Sequence, residues 1–221
     1  MASKSRNALD ENLADIDRLL AFHSDKGGDK RGRRHKLEVL NKSAIVLITS
    51  YWEAYCEDIA AEALEHILDN ANSSDDIPEE IKKMISKELK KDLNELSVWK
   101  VADDKWKQFL TDRIEKLKEE RNRNLNTPKT GNIDKLFESA LGLSKVSSSW
   151  RWSKKLTVKG AREKLDNFVV LRGEIAHRGK TAKSVQKSQV VDYRDFIKNL
   201  AKKTGGAVNK HVKEITGTGL W

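Results

Sequence analysis

Leu9, Leu13, Ile16, Leu19 and Leu20 recur at steps of three and four residues, which places them on one face of a helix over about residues 7–23. A longer stripe follows over about 36–70. Leu37, Leu40, Ala44, Leu47, Ile48, Tyr51, Tyr55, Ile59, Ala63 and Ile67 keep one face apolar. The run "AIVLIT" within it has the composition of a strand, but the stripe continues on both sides at helical period, so a helix is predicted throughout. "NSSDDIPEE" is a loop, and a new helix starts near Pro78 with Glu79 and Glu80 where the helix dipole favours acids. Trp106, Phe109, Leu110 and Ile114 mark a helix over 103–122, and a short one over 132–141 stops at Gly142. "SKVSSSWRWSKK" reads as a loop and 158–177 as a helix that ends around Gly179. Val190, Tyr193, Phe196, Ile197 and Leu200 define a last helix over about 186–203. The pair Gly205-Gly206 is expected to interrupt it before a weaker amphipathic piece to Ile215. Neither two-residue alternation nor a fixed-period repeat is visible. The fold class is all-α, a helical bundle in a single domain of residues 1–221, with 71–157 as helices inserted in its middle or a lobe of it.

The chain has 221 residues and one cysteine, Cys56, so no disulfide forms within it and no staple is needed at this length. A reducing, cytoplasmic setting is expected. The N-terminus lacks the apolar core of a signal peptide and no run is long enough to span a bilayer. The net charge of +9 changes the picture more, because it implies a polyanionic partner. No segment combines a broad bulky apolar face with a basic opposite face, as a membrane-surface helix would. RNA or DNA is the better partner, and a membrane is not expected.

Candidate chemistry centres on "VVLRGEIAHRGK". The inward stripe of its helix is Leu165, Phe168, Val169, Arg172, Ile175 and Ala176, so a permanent charge stands in an apolar row. A buried guanidinium needs an anion. Two readings stand: an ion pair with Glu53 or Glu57 of the long helix, or a phosphate, which the planar donor fork fits well. On Arg172 alone the ion pair is the commoner use. His177 shifts the balance, because it lies at the helix terminus beside the ending glycine. Gly173 leaves bare backbone beside Arg172. An arginine to neutralise charge on phosphorus and a histidine to move protons suit phosphodiester cleavage. Arg178 and Lys180 add attraction for a nucleic-acid backbone.

"LRGEIAHRG" resembles the Arg-x4-6-His signature of the HEPN superfamily, whose domains are helical bundles. "SAIVLITSYWEAYCEDIAAEAL" (Ser43–Leu64) is similar to the long second helix of its RiboL-PSP-HEPN branch, in which an aromatic-Glu-x-aromatic pattern recurs. The order of "LADIDRLL" and the final helix also agrees. The resemblance implies a metal-independent endoribonuclease, often a toxin or phage-defence effector, that works as a homodimer with two signatures facing one cleft. It implies that Arg172 binds the scissile phosphate. His177 then provides acid–base chemistry on the ribose 2′-hydroxyl and the leaving oxygen, giving a 2′,3′-cyclic phosphate. An antitoxin or other regulator is a further implied partner. Positions five apart on a helix point about 140° apart, so one copy converges poorly and pairing fits the geometry. Catalytic members commonly carry a polar residue after the arginine. Here that residue is Gly173, and Glu174, the nearest substitute, points elsewhere. A non-catalytic HEPN-like module that binds RNA or protein therefore remains the alternative, with a purely protein-binding subunit as a third reading.

Other residues add less. Trp150 and Trp152, with Arg151, Lys154 and Lys155, have the alternation of a single-strand stacking platform, although tryptophans more often plug a loop onto a core. Arg31, Arg33 and Arg34 belong to a segment with six Lys/Arg against two Asp over 25–36, a secondary contact for an RNA backbone. "GGDKRGRR" spaces glycines like a phosphate loop but lacks its Lys-Ser/Thr ending and a preceding strand. His23, His35, His66 and His211 have no ligand spacing. No metal and no cofactor is implied. Glu53 is expected to support Arg172.

Overall fold

The computed structural model describes residues 2–27, 37–103, 105–119, 127–179 and 184–221. Among them, α-helices run over α1 Lys4–Gly27, α2 Glu38–Asn70, α3 Glu79–Lys91, α4 Lys105–Glu119, α5 Thr130–Leu141, α6 Val158–Arg178 and α7 Lys187–Thr216. Among the described residues the only extended pairing is an isolated bridge between Ser153 and Leu156. The chain is all-α, and no described helix is long and apolar enough to cross a membrane.

The longest helix, α2, is the strut of the bundle, and α1, α4, α5, α6 and α7 all pack against it. Its sequence explains why. Beyond the stripe that predicts it, Ile45, Trp52, Cys56, Ala60 and Leu64 are also buried, so α2 is apolar nearly all round. A helix of that kind is stable only when enclosed by others. Cys56 is fully buried, and burial pushes its thiol well up, which suits packing rather than nucleophilic work. Ile77, Ile81, Ile85, Trp106, Leu110, Ile133 and Phe137, from the middle of the chain, join the same hydrophobic cluster as α1, α2, α6 and α7.

Polar contacts fix the register between helices. The Glu62 carboxylate accepts from the backbone N–H groups of Lys4 and Ser5 at 3.0 Å each, so α2 caps the open N-terminus of α1. Asp166 accepts from the Thr130 N–H at 2.8 Å, tying α5 to α6. The Trp150 indole N–H donates to Thr204 Oγ1 at 2.9 Å and seals the loop before α6 onto α7.

The last helix differs from the expectation. It does not stop at Gly205-Gly206 but continues to Thr216. Gly205 is there for proximity rather than as a breaker: a Cβ on it would meet Tyr55 Oη at 2.8 Å and Ile59 Cδ1 at 3.5 Å. Tyr55 needs that approach, since its hydroxyl donates to the Ala201 carbonyl at 2.9 Å. Gly206 faces open space. Gly205→Val is expected to lower unfolding free energy by about 1–3 kcal/mol through overpacking, whereas Gly206→Ala should raise it by about 0.5–1 kcal/mol through helix propensity. Urea unfolding of the two variants checks both signs.

Candidate functional site

The inward face of α6 buries Ala161, Leu165, Val169 and Ile175. The helix starts at Thr157, whose hydroxyl accepts from the Gly160 N–H at 3.0 Å. It ends at Gly179, whose φ of +61° is the left-handed cap conformation and whose N–H donates to the Ile175 carbonyl at 2.9 Å. Lys42 Nζ, on the first turns of α2, donates to the Gly179 carbonyl at 3.1 Å and pairs with Glu38 at 3.3 Å. Asn41 donates to the Val185 carbonyl at 2.9 Å. The start of α2 thus holds Gly179, at the end of α6, and Val185, just ahead of α7. This clamp was not legible in the sequence, because it joins positions far apart in the chain.

An aromatic pair precedes Arg172 along α6. Phe168, one turn earlier on α6, stacks on Tyr193 of α7 with ring centroids 3.9 Å apart and planes within 9°. Tyr193 Oη lies 3.0 Å from Thr49 Oγ1, which itself donates to the Ile45 carbonyl, so the tyrosine is the donor. One turn beyond Thr49 on α2 comes Glu53, and one turn beyond Phe168 on α6 comes Arg172. The two charged side chains are thereby brought to the same α2–α6 seam.

The expected ion pair does not form. Arg172 is half-buried, its Nε is closed to solvent and meets no acceptor, and among the described residues it holds no ion pair. It still acts at a distance. Burial pushes the Glu53 carboxyl from 4.5 up to about 7, Glu57 pushes in the same direction, and Arg172 opposes both. Burial likewise raises the Tyr193 hydroxyl, against its hydrogen bond with Thr49 and the Arg172 charge. Glu53 is only 8% exposed, so at neutral pH it only partly neutralises the arginine. The Arg172 Nε is shut away from solvent, so a further anion would meet the terminal nitrogens of the half-buried guanidinium, which hold no ion pair among the described residues.

His177 is exposed in the last turn of α6, together with Arg178. Five residues separate it from Arg172, which turns it about 140° around the axis, so the two side chains do not converge within one copy. Gly173 faces open space, and Val170 is 47% exposed on the same side as His177. Glu174 is half-buried and turned about 200° from Arg172, which rules it out as a substitute for a polar residue beside the arginine.

The remaining candidates separate cleanly. Trp150 is fully buried, stands edge-on to Trp52 and offers no face to a base, so its stacking role is withdrawn. Trp152 is half-buried against Phe196. Arg31, Arg33, Arg34, His35 and Lys180 lie outside the described residues. His66 meets Thr218 Oγ1 at 3.2 Å, and His211 Nε2 meets the Leu141 carbonyl at 2.8 Å, both structural contacts. Among the described residues no group of three or more His, Cys, Asp or Glu is placed to hold a metal.

Glu53 sets a pH dependence. Folded, it titrates near 7, above its ordinary 4.5, so the folded state holds that proton more tightly. Its stabilising contribution is complete below about 4.5 and is lost as pH rises through 7. Glu53→Gln is expected to flatten this part of the stability–pH profile and to gain about 1–3 kcal/mol above pH 7, read by urea unfolding at a series of pH values. An unchanged slope between pH 5 and 7.5 would contradict it.

A search of curated proteins and a search of solved structures each return no match. A scan against protein-family models matches RiboL-PSP-HEPN over residues 11–210, which takes in α2, the Arg172–His177 signature and most of α7. With its helical bundle and that match over most of its length, the chain belongs to the RiboL-PSP-HEPN family.

Proposed function

We propose that this protein is a metal-independent endoribonuclease acting as a homodimer, in which two Arg172–His177 signatures share one cleft. The observation that carries this reading is the inward guanidinium of Arg172 without an internal ion pair, on the helix that ends in an exposed His177. Arg172 holds the scissile phosphate and offsets charge building on its oxygens. A neutral His177 imidazole removes the 2′-hydroxyl proton, and the 2′-oxygen attacks phosphorus. The bond to the 5′-oxygen breaks, and that oxygen takes a proton from an imidazolium. The products are a 2′,3′-cyclic phosphate and a 5′-hydroxyl, with no co-reactant. The open face of Val170, Gly173 and His177 is where a second copy packs, which compensates for the 140° divergence within one helix. In the cell this activity serves a toxin or phage-defence role and is held in check by an antitoxin or other regulator. The helices of 71–157 are additions to the bundle.

Gly173 favours a second reading, a module that binds RNA without cutting it, since it supplies no polar group beside Arg172.

Incubating the purified protein with end-labelled RNA in EDTA separates the two. The nuclease reading expects cyclic-phosphate ends, resistance of 2′-deoxy substrates, and a fall of about 10²-fold or more for His177→Ala. Activity that survives this substitution, or that disappears with chelation, contradicts it. Salt-sensitive binding of RNA that stays intact selects the second reading.

A further inference from the structure

The positive charge of this chain is not spread evenly. Residues 139–162 carry six Lys or Arg and no Asp or Glu, and residues 196–213 carry five and none. These eleven charges exceed the net +9 of the whole chain, so the rest of the sequence is slightly acidic in sum. Separated in sequence, the two segments meet in the fold. The 3-10 turn Val146–Ser149 packs on α7, Ser149 Oγ donates to the Lys203 carbonyl at 3.4 Å, and Trp150 is bonded to Thr204.

At their junction is an open groove whose lining includes Ser149, Lys202, Lys203, Gly206 and Lys210. Lys145, Arg151, Lys154, Lys155 and Lys202 are exposed and hold no ion pair among the described residues. The acids at the border are used locally, Glu163 by Lys159 at 3.8 Å and Glu214 by Lys210 at 3.7 Å. These exposed pairs neutralise little. Gly206, exposed and with open space where a side chain would stand, lets a strand approach the helix backbone.

We infer that the surface formed by the loop before α6 and the C-terminal half of α7 is an accessory docking site for the phosphate backbone of single-stranded RNA. It is distinct from the Arg172–His177 end of α6. RNA as the occupant rests on the proposed function, whereas the concentration of charge does not. A bilayer fits less well, because no large exposed apolar residue among those described belongs to the two segments, and Trp221, which folds back near Gly205 of α7, offers a single ring rather than a broad apolar face. The loop–α7 junction adjoins the start of α6, while the signature is near its end. About 20 Å of helix lies between them, so only a substrate several nucleotides long engages both.

The test compares wild type with Lys154→Gln/Lys202→Gln/Lys210→Gln, three exposed positions whose loss leaves the core intact, with thermal melting as a check on folding. Binding of a long labelled 2′-O-methyl RNA, which resists cleavage, is titrated across a range of salt. The triple variant is expected to lose affinity by about tenfold to a hundredfold at 0.1 M salt and to have a log–log salt slope shallower by about 2. Cleavage of a dinucleotide should not change. An unaltered slope overturns the inference even if the wild type cleaves RNA. A wild type that cuts nothing but keeps the slope difference removes the nuclease reading and leaves this one standing. Lysine-dependent capture of phosphatidylserine vesicles without RNA binding also overturns it.

Discussion

Arg172 occupies a core-facing position on α6 with a charge that no physiological pH removes. The bundle does not answer it with a carboxylate in contact. Instead, Phe168 one turn before it stacks on Tyr193, and Glu53 on the same seam is a carboxyl whose own burial keeps it only partly ionised near neutrality. An uncompensated inward charge costs stability, and it persists where an external anion supplies the missing partner. The electrostatics of the site follow from that one imbalance. Glu53 and Tyr193 are shifted by burial and drawn back by the same arginine.

The surrounding architecture serves to hold this imbalance in place. Because α2 is buried nearly all round, it holds Tyr193 through Thr49, supplies Glu53, bonds the Gly179 carbonyl at the end of α6 through Lys42, and bonds the Val185 carbonyl ahead of α7 through Asn41. The helix carrying the signature is thus tied to α2 at Gly179, two residues beyond His177. Its outer face, from Val170 through Gly173 to His177, is open among the described residues. A single copy is electrostatically prepared but geometrically divided, with its two functional side chains on different sides of one helix. In the proposed homodimer, twofold pairing would resolve that division without any change in the fold.

How much of this was legible beforehand depended on the range of each interaction. The 3.6-residue stripes of α1, α2 and α6 were readable because apolar spacing is local, and the Gly179 stop followed from cap chemistry. Gly205-Gly206 misled, since glycine marks either a break or a close approach, and only the position of Tyr55 across the interface distinguishes them. Trp150 and Trp152 were ambiguous for a similar reason: alternation with basic residues does not show which ring is covered, and Thr204 decides that for Trp150. The lack of an ion pair at Arg172 was not readable at all. Glu53 was the natural partner by residue type, yet contact depends on the packing of α2 against α6 to within an ångström or so.

The most direct measurement is of the Arg172 guanidinium itself, by nitrogen-15 NMR of its terminal amino groups with and without an uncleavable RNA, the resonance being assigned by its loss in Arg172→Lys. An arginine held ready for phosphate gives a signal without a strong acceptor in the free protein, and a marked downfield move once RNA is added. A signal already typical of a carboxylate pair, or one that stays still while RNA binds elsewhere on the molecule, would show that the arginine is structural and that the site has been misplaced.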